Sequence, residues 1–186
     1  MSAIRRIEGY AIVSADGMLA NSQGVMPPGL IVPADQVFFE KALDAVDVVV
    51  HGRFSQERHR NSPSRRRIIV SRSVDSLAPH VTNRRAILWN PAGASLQEAL
   101  AKLGLSNPRI GVVGGTDVFG YFLPLFDLFY LSRVPDLRLP GGRPVFPGVP
   151  ARTPEDILAE NGMKQETWEM LDPDRRVDLV TWRRIS

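Results

Sequence analysis

The stretch RIGVVGGTDVFGYF, Arg109 to Phe122, opens with a short apolar run, stops at two glycines and resumes with apolar residues at helical spacing. A run of that length, bounded by Gly114-Gly115, reads as a strand buried on both faces. Two glycines at a strand end let a ligand approach the backbone closely. The helix starting at Thr116 or Asp117 turns unpaired N–H groups toward the same place, where a phosphate can be held. Neither phosphate-loop signature is present, since G-x-G-x-x-G and G-x-x-x-x-G-K-[ST] are both missing. A tight strand-to-helix turn without a ligand explains these residues about as well. Asp117 also competes with any anion for the positive end of the helix.

Outward from this unit the chain alternates strands and helices. RIEGYAIVSA reads as a first strand, followed by the Gly/Pro-punctuated loop DGMLANSQGVMPPG. The helix PADQVFFEKALDAV leads into the apolar strand DVVVHG, and RRIIVSRS and AILWN are further strands. SLQEALAKLG reads as a helix with Ser95 as N-cap and a closing glycine. TDVFGYFLPLF is a helix, and DLFYLSRV is the next strand. The tail, MKQETWEMLDP and RRVDLVTWRR around an Asp-Pro-Asp turn, reads as an antiparallel hairpin. The pattern predicts one α/β domain over residues 1–186. Its central sheet is mixed but mostly parallel, with flanking helices and the hairpin at one edge. Ligands of such sheets sit at the carboxyl ends of strands, where strand order reverses.

Composition narrows the chemistry. With 44% hydrophobic and 23% charged residues the 186-residue chain is an ordinary globular one, long enough for a substantial core. No apolar run reaches bilayer length, and MSAIRRIEGY lacks a signal-peptide core, so a cytoplasmic protein without membrane contact is expected. There is no cysteine, hence no disulfide or thiol chemistry. His51, His59 and His80 lack metal-ligand spacing, so no metal is expected. The net charge of +3 is spread along the chain apart from Arg65-Arg66-Arg67, with no long basic stripe or aromatic platform for nucleic acid.

Two basic-plus-hydroxyl clusters, Arg53 with Ser55 and Ser71 with Arg72, each follow a strand. Together they can bind a phosphate monoester through charge-assisted hydrogen bonds. Singly, each is an ordinary exposed arginine. Asp35 lies in the first turn of its helix, where the dipole alone favours an acid. Phe39 follows at i+4, placing an aromatic ring on the same face. Helix decoration and a substrate-gripping acid both account for Asp35 at this level.

The order of these pieces resembles the dihydrofolate reductase family. The resembling segments are YAIVSADGMLANSQGVMP, VPADQVFFEK, VVVHGRFSQE, PSRRRIIVSR, VVGGTDVFGYFLP and FYLSRV with GGRPVFP, running in order from Ile7 to Arg184. The resemblance implies NADPH-dependent reduction of a 7,8-dihydropterin, either dihydrofolate or the analogue dihydromethanopterin, by a monomer or homodimer. It implies that Asp35 grips the pterin and is the catalytic acid, with Ser132 supporting it and Phe39 packing on the substrate. Tyr10, Ala11 and Ile12 would line the pocket floor, and Arg65 would hold the substrate's tail. For the cofactor it implies Ile12, Leu19 and Ala20 near the nicotinamide, and Gly52, Arg53, Phe54, Ser55, Ser71 and Arg72 at the phosphates. Val113, Gly114, Gly115, Thr116, Asp117 and Val118 would lie by the pyrophosphate, with a cis bond joining the glycines. Three features depart from the family. Met26-Pro27 is followed by Pro28-Gly29-Leu30-Ile31 rather than tryptophan, the Gly-Arg turn continues Phe54-Ser55-Gln56, and Asp117 takes a position often basic or neutral. SADGMLA is also similar to the riboflavin-biosynthesis reductase domain, which implies a phosphoribosyl aminopyrimidine as the alternative substrate.

Overall fold

A computed structural model describes residues 3–185. Eleven strands and four α-helices follow one another. They are β1 (Arg6–Ser14), β2 (Met18–Ala20), α1 (Pro33–Asp44), β3 (Val48–Gly52), β4 (Arg67–Val70), β5 (Leu77–Pro79), β6 (Ala86–Trp89), α2 (Leu96–Lys102), β7 (Arg109–Val112), α3 (Thr116–Phe122), β8 (Leu128–Val134), β9 (Arg143–Pro144), α4 (Pro154–Glu160), β10 (Met163–Asp172) and β11 (Val177–Arg184). Nine strands form one sheet in the order β10-β11-β8-β1-β7-β3-β4-β6-β5, and β2 pairs with β9 separately. From β8 to β6 every neighbouring pair is parallel. β5 and the β10–β11 hairpin add antiparallel edges. The mixed, mostly parallel sheet with a terminal hairpin is the architecture expected from the alternation of apolar patterns. Among the described residues no helix is long and apolar enough to cross a membrane.

Local chemistry accounts for the helix ends. Pro33 starts α1 without needing an N–H partner. Ser95 and Glu98 close a capping box on α2, as the sequence predicted for Ser95. α1 stops at Asp44, two residues before the expected Val46. α3 gives way to a 3-10 turn at Leu123–Leu125, where Pro124 cannot donate to the helix ladder. The sequence reading missed α4, which Thr153 caps by accepting from the Asp156 N–H at 3.1 Å. It also missed β2, β5 and β9, whose two or three residues are too few to show a period.

The parity of β1 separates two compartments. Ile7 and Val13 point into the large core shared with Leu100 of α2, Phe119 and Phe122 of α3 and Leu158 of α4. Tyr10 points the other way, into a cluster with Leu43 and Phe39 of α1. Gly9 is where the first compartment is tightest, since a Cβ there would meet Phe129 Cδ2 at 2.3 Å. α1 therefore covers one sheet face by itself, and the space between its first turn and the strand ends becomes a cleft.

Candidate active site

A cleft of ≈ 1620 Å³ runs along the carboxyl ends of β1, β3, β4 and β7 and beneath α1. Its inner wall follows from strand register. Tyr10 pairs with Tyr130 and Ile12 with Ser132 across the parallel β1–β8 ladder. Residues two apart share a face, so the tyrosines stack with centroids 5.0 Å apart and Ser132 sits one step nearer the cleft mouth. The first turn of α1 brings Asp35 over this serine. Ser132 Oγ donates to Asp35 Oδ1 at 2.5 Å.

Asp35 is 9% exposed and lines the cleft. Burial pushes its carboxyl above the ordinary aspartate value, outweighing the Ser132 hydrogen bond and the nearby charge of His59, which both act downward. Phe39 and Phe38, one turn further along α1, meet Tyr10 at 6.1 and 6.3 Å. Tyr10 in turn donates its hydroxyl to Glu8, a fully buried carboxylate that Arg109 also reaches at 3.0 Å. Burial and the Glu8 charge raise the Tyr10 hydroxyl well above its usual range, keeping it a neutral donor. The arrangement at this end is an aromatic-walled slot into which the Asp35 carboxylate faces, able to accept from N–H donors on a flat ring.

The other end is built from backbone and small side chains. Gly52 N donates to Gly114 O at 2.7 Å, tying the ends of β3 and β7 together. The Gly114–Gly115 bond is cis, and Gly114 has φ +111°, a conformation glycine tolerates best. A Cβ on Gly115 would come 3.2 Å from Ser55 Oγ, a tight approach that the serine side chain would have to relieve by a small shift. Thr116 Oγ1 donates to Pro144 O at 2.5 Å and so fixes β9 at the cleft wall. Arg53 lies over the Phe54 ring at 4.9 Å, Ser71 Oγ shares a hydrogen bond of 2.7 Å with Ser73 Oγ, and Arg72 approaches Asp117.

Of the residues singled out in the sequence, Tyr10, Ala11, Ile12, Leu19, Ala20, Asp35, Phe39 and Ser132 line the cleft. So do Gly52, Arg53, Phe54, Ser55, Ser71, Arg72, Val113, Gly115, Thr116, Asp117 and Val118. Gly114 stands behind this surface, its carbonyl turned toward Gly52. Arg65 is a correction. It is buried outside the cleft and donates to Glu57 Oε1 at 2.7 Å and Asp44 Oδ1 at 2.6 Å, so its guanidinium is held by the protein's own carboxylates. Among the lining residues that the sequence reading passed over are Gln36, Phe38, Glu57, Arg58, His59 and Tyr130. Tyr130 was accessible as the i−2 neighbour of Ser132 on the same strand. His59, whose ring meets Phe39 edge-on at 5.4 Å, comes from an irregular loop that carries no periodic signal.

No family model and no curated protein matches the sequence. Solved structures do match in shape. One is dihydrofolate reductase from Enterococcus faecalis, in complex with NADP(H) and RAB-propyl, at TM-score 0.67 and 16% identity over 100% of both chains. A second is a putative riboflavin biosynthesis protein from a Shewanella species, at TM-score 0.65 and 18% identity over 97% of this chain and 99% of that one. A third is the diaminohydroxyphosphoribosylaminopyrimidine deaminase/5-amino-6-(5-phosphoribosylamino)uracil reductase from Thermotoga maritima, at TM-score 0.70 and 18% identity. It is matched over 98% of this chain, which spans 57% of that protein's length. The strand order, the placement of α1 over the cleft and these three matches together show that the chain has the dihydrofolate-reductase-like fold.

Proposed function

We propose that the protein is an NADPH-dependent reductase of a 7,8-dihydropterin, dihydrofolate or dihydromethanopterin, acting on C6 of the ring. The observation that carries this reading is the Asp35–Ser132 pair, a nearly buried carboxylate facing an aromatic-lined slot. A buried acid with a shifted pKa in a cleft is a candidate functional group on physical grounds. Bound along the cleft, the dinucleotide would supply the hydride. The glycine-lined notch at Gly52 and Gly115, with Arg53, Ser71 and Arg72 nearby, fits a phosphorylated dinucleotide. Asp35 would accept from the amino-pyrimidine edge and favour positive charge on the ring, while water protonates N5. Ser132 would hold the carboxylate in place. Phe39 and the Tyr10–Tyr130 stack would keep the ring flat against β1 and exclude bulk water.

A second reading, reduction of a phosphoribosyl aminopyrimidine, draws support from the fate of Arg65. With that arginine paired to Glu57 and Asp44, the N–H donors left in the cleft beside α1 are those of Arg58 and His59, which suit a phosphate as well as a carboxylate. Absorbance at the NADPH band, followed with purified protein and 7,8-dihydrofolate, tests the main reading. Saturable oxidation of NADPH supports it. Tight NADPH binding without turnover of dihydrofolate or dihydromethanopterin, but with turnover of the pyrimidine, establishes the second instead.

A further inference from the structure

The cofactor end of the cleft contains one charge of the wrong sign for a phosphate. Arg53, Arg72 and Asp117 all line it. Arg72 Nη2 lies 3.4 Å from Asp117 Oδ2, with the two side chains 89% and 83% exposed, so the pair faces the cleft opening rather than the core. Arg72 leaves the end of β4 and Asp117 stands in the first turn of α3, so the pair bridges the two lips of the site. Arg53 has no carboxylate partner among the described residues and rests on the exposed ring of Phe54.

A phosphate monoester and a ribose hydroxyl would meet this group differently. A phosphate gains charge-assisted hydrogen bonds from arginine, but to use Arg72 it must displace Asp117 and then tolerate a carboxylate nearby. A free ribose hydroxyl loses the arginine contacts yet can donate to the carboxylate, the arrangement by which acids recognise an unphosphorylated ribose. We infer that Asp117 sets the cofactor choice: it competes with the 2′-phosphate for Arg72 and offers an acceptor to the free 2′-hydroxyl, so the site takes NADH as well as NADPH with only a modest preference for NADPH. The inference rests on the proposed reductase reading, because it requires a nicotinamide dinucleotide in this cleft.

The test is direct binding, which needs no substrate. Titrations of NADPH and NADH by protein fluorescence are run on the wild type, on Asp117→Asn and on Arg72→Gln, with thermal unfolding recorded for each. The wild type is expected to favour NADPH by less than about tenfold in Kd. Asp117→Asn should widen that preference about tenfold, equivalent to about 1.4 kcal/mol, and the gain should shrink at high salt because the groups are exposed. Arg72→Gln should weaken NADPH and leave NADH within about twofold. A ratio unchanged by Asp117→Asn overturns the inference while leaving the reductase reading intact. The same holds for a wild type that already favours NADPH more than about a hundredfold. Should wild-type protein of normal stability bind neither dinucleotide, the reductase reading falls and the inference falls with it. If Asp117→Asn lowers the unfolding temperature, Asp117→Ala provides a second side chain without the carboxylate, read by the same ratio.

Discussion

Asp35 shows how burial changes the chemistry of an ordinary helix-start acid. The carboxyl is raised above its usual value chiefly by desolvation, so between the unfolded and folded pKa values the native state binds a proton that the unfolded chain has lost. Stability tied to this group is then fully present below the unfolded pKa and is lost as pH rises through the folded one. Asp35→Asn should accordingly unfold at a higher temperature than wild type at pH 7, with the difference closing below the ordinary value of 3.8. The same variant should lose about 10²–10⁴ of turnover while holding NADPH normally. Calorimetry across pH and steady-state kinetics check the two halves. A variant that is less stable at neutral pH, or that turns over like wild type, would return Asp35 to a purely structural role. The residues alone admitted both readings and leaned toward helix decoration, because a first-turn acid is favoured by the helix dipole whether or not it meets a substrate. Ser132 Oγ at 2.5 Å and the aromatic wall support the substrate-acid reading proposed above.

The loop between β3 and β4 shows the opposite outcome. Glu57 accepts from Arg67 at 2.7 and 2.5 Å as well as from Arg65, and Arg67 is fully buried. Burial works to raise the Glu57 carboxyl, but the two guanidiniums outweigh it and hold it below the usual range. Its contribution is therefore present above the unfolded pKa and is lost as pH falls through the folded one. Glu57→Gln should destabilise the protein by about 3–5 kcal/mol, because it leaves the buried Arg67 without a counter-charge. Urea unfolding measures this. Arg65→Ala should likewise lower stability and leave the substrate KM within about twofold. An Arg65→Ala protein of normal stability with a KM raised tenfold would restore Arg65 to the substrate site. Spacing along PSRRRIIVSR places Arg65 just before a strand, but it carries no information on which carboxylate meets the side chain. That depends on Glu57 and Asp44, eight and twenty-one residues away.

Across the molecule, protection should follow the sheet order. β1 is paired on both sides by parallel neighbours and packed on both faces. β10 is an edge strand whose residues after Met163 are mostly exposed, including Trp168 and Met170. Native-state hydrogen exchange should find the slowest amides in β1, β7 and β8 and fast exchange along the open edge of β10. Protection of that edge equal to β1 would mean that another chain covers it, as an exposed edge invites. β11 pairs Leu179 with Ser132 and so supports the strand that carries the Asp35 partner.

What the sequence determined by itself was the alternation of buried strands and helices, the glycine-marked strand end and the terminal hairpin, because each is encoded by period and by local backbone preference over a few neighbouring residues. It also marked about half of the residues that line the cleft, through the order of short motifs rather than any one of them. The tertiary structure alone decided which side chains face one another. It turned His59 into the cleft beside Phe39 and drew Arg65 away into the Glu57 cluster, whereas the contact of Asp35 with Ser132, ninety-seven residues apart, was implied beforehand by the family resemblance and not by spacing. Such pairings are set by strand order and by competition among charges for a limited number of partners, and neither leaves a trace in local spacing.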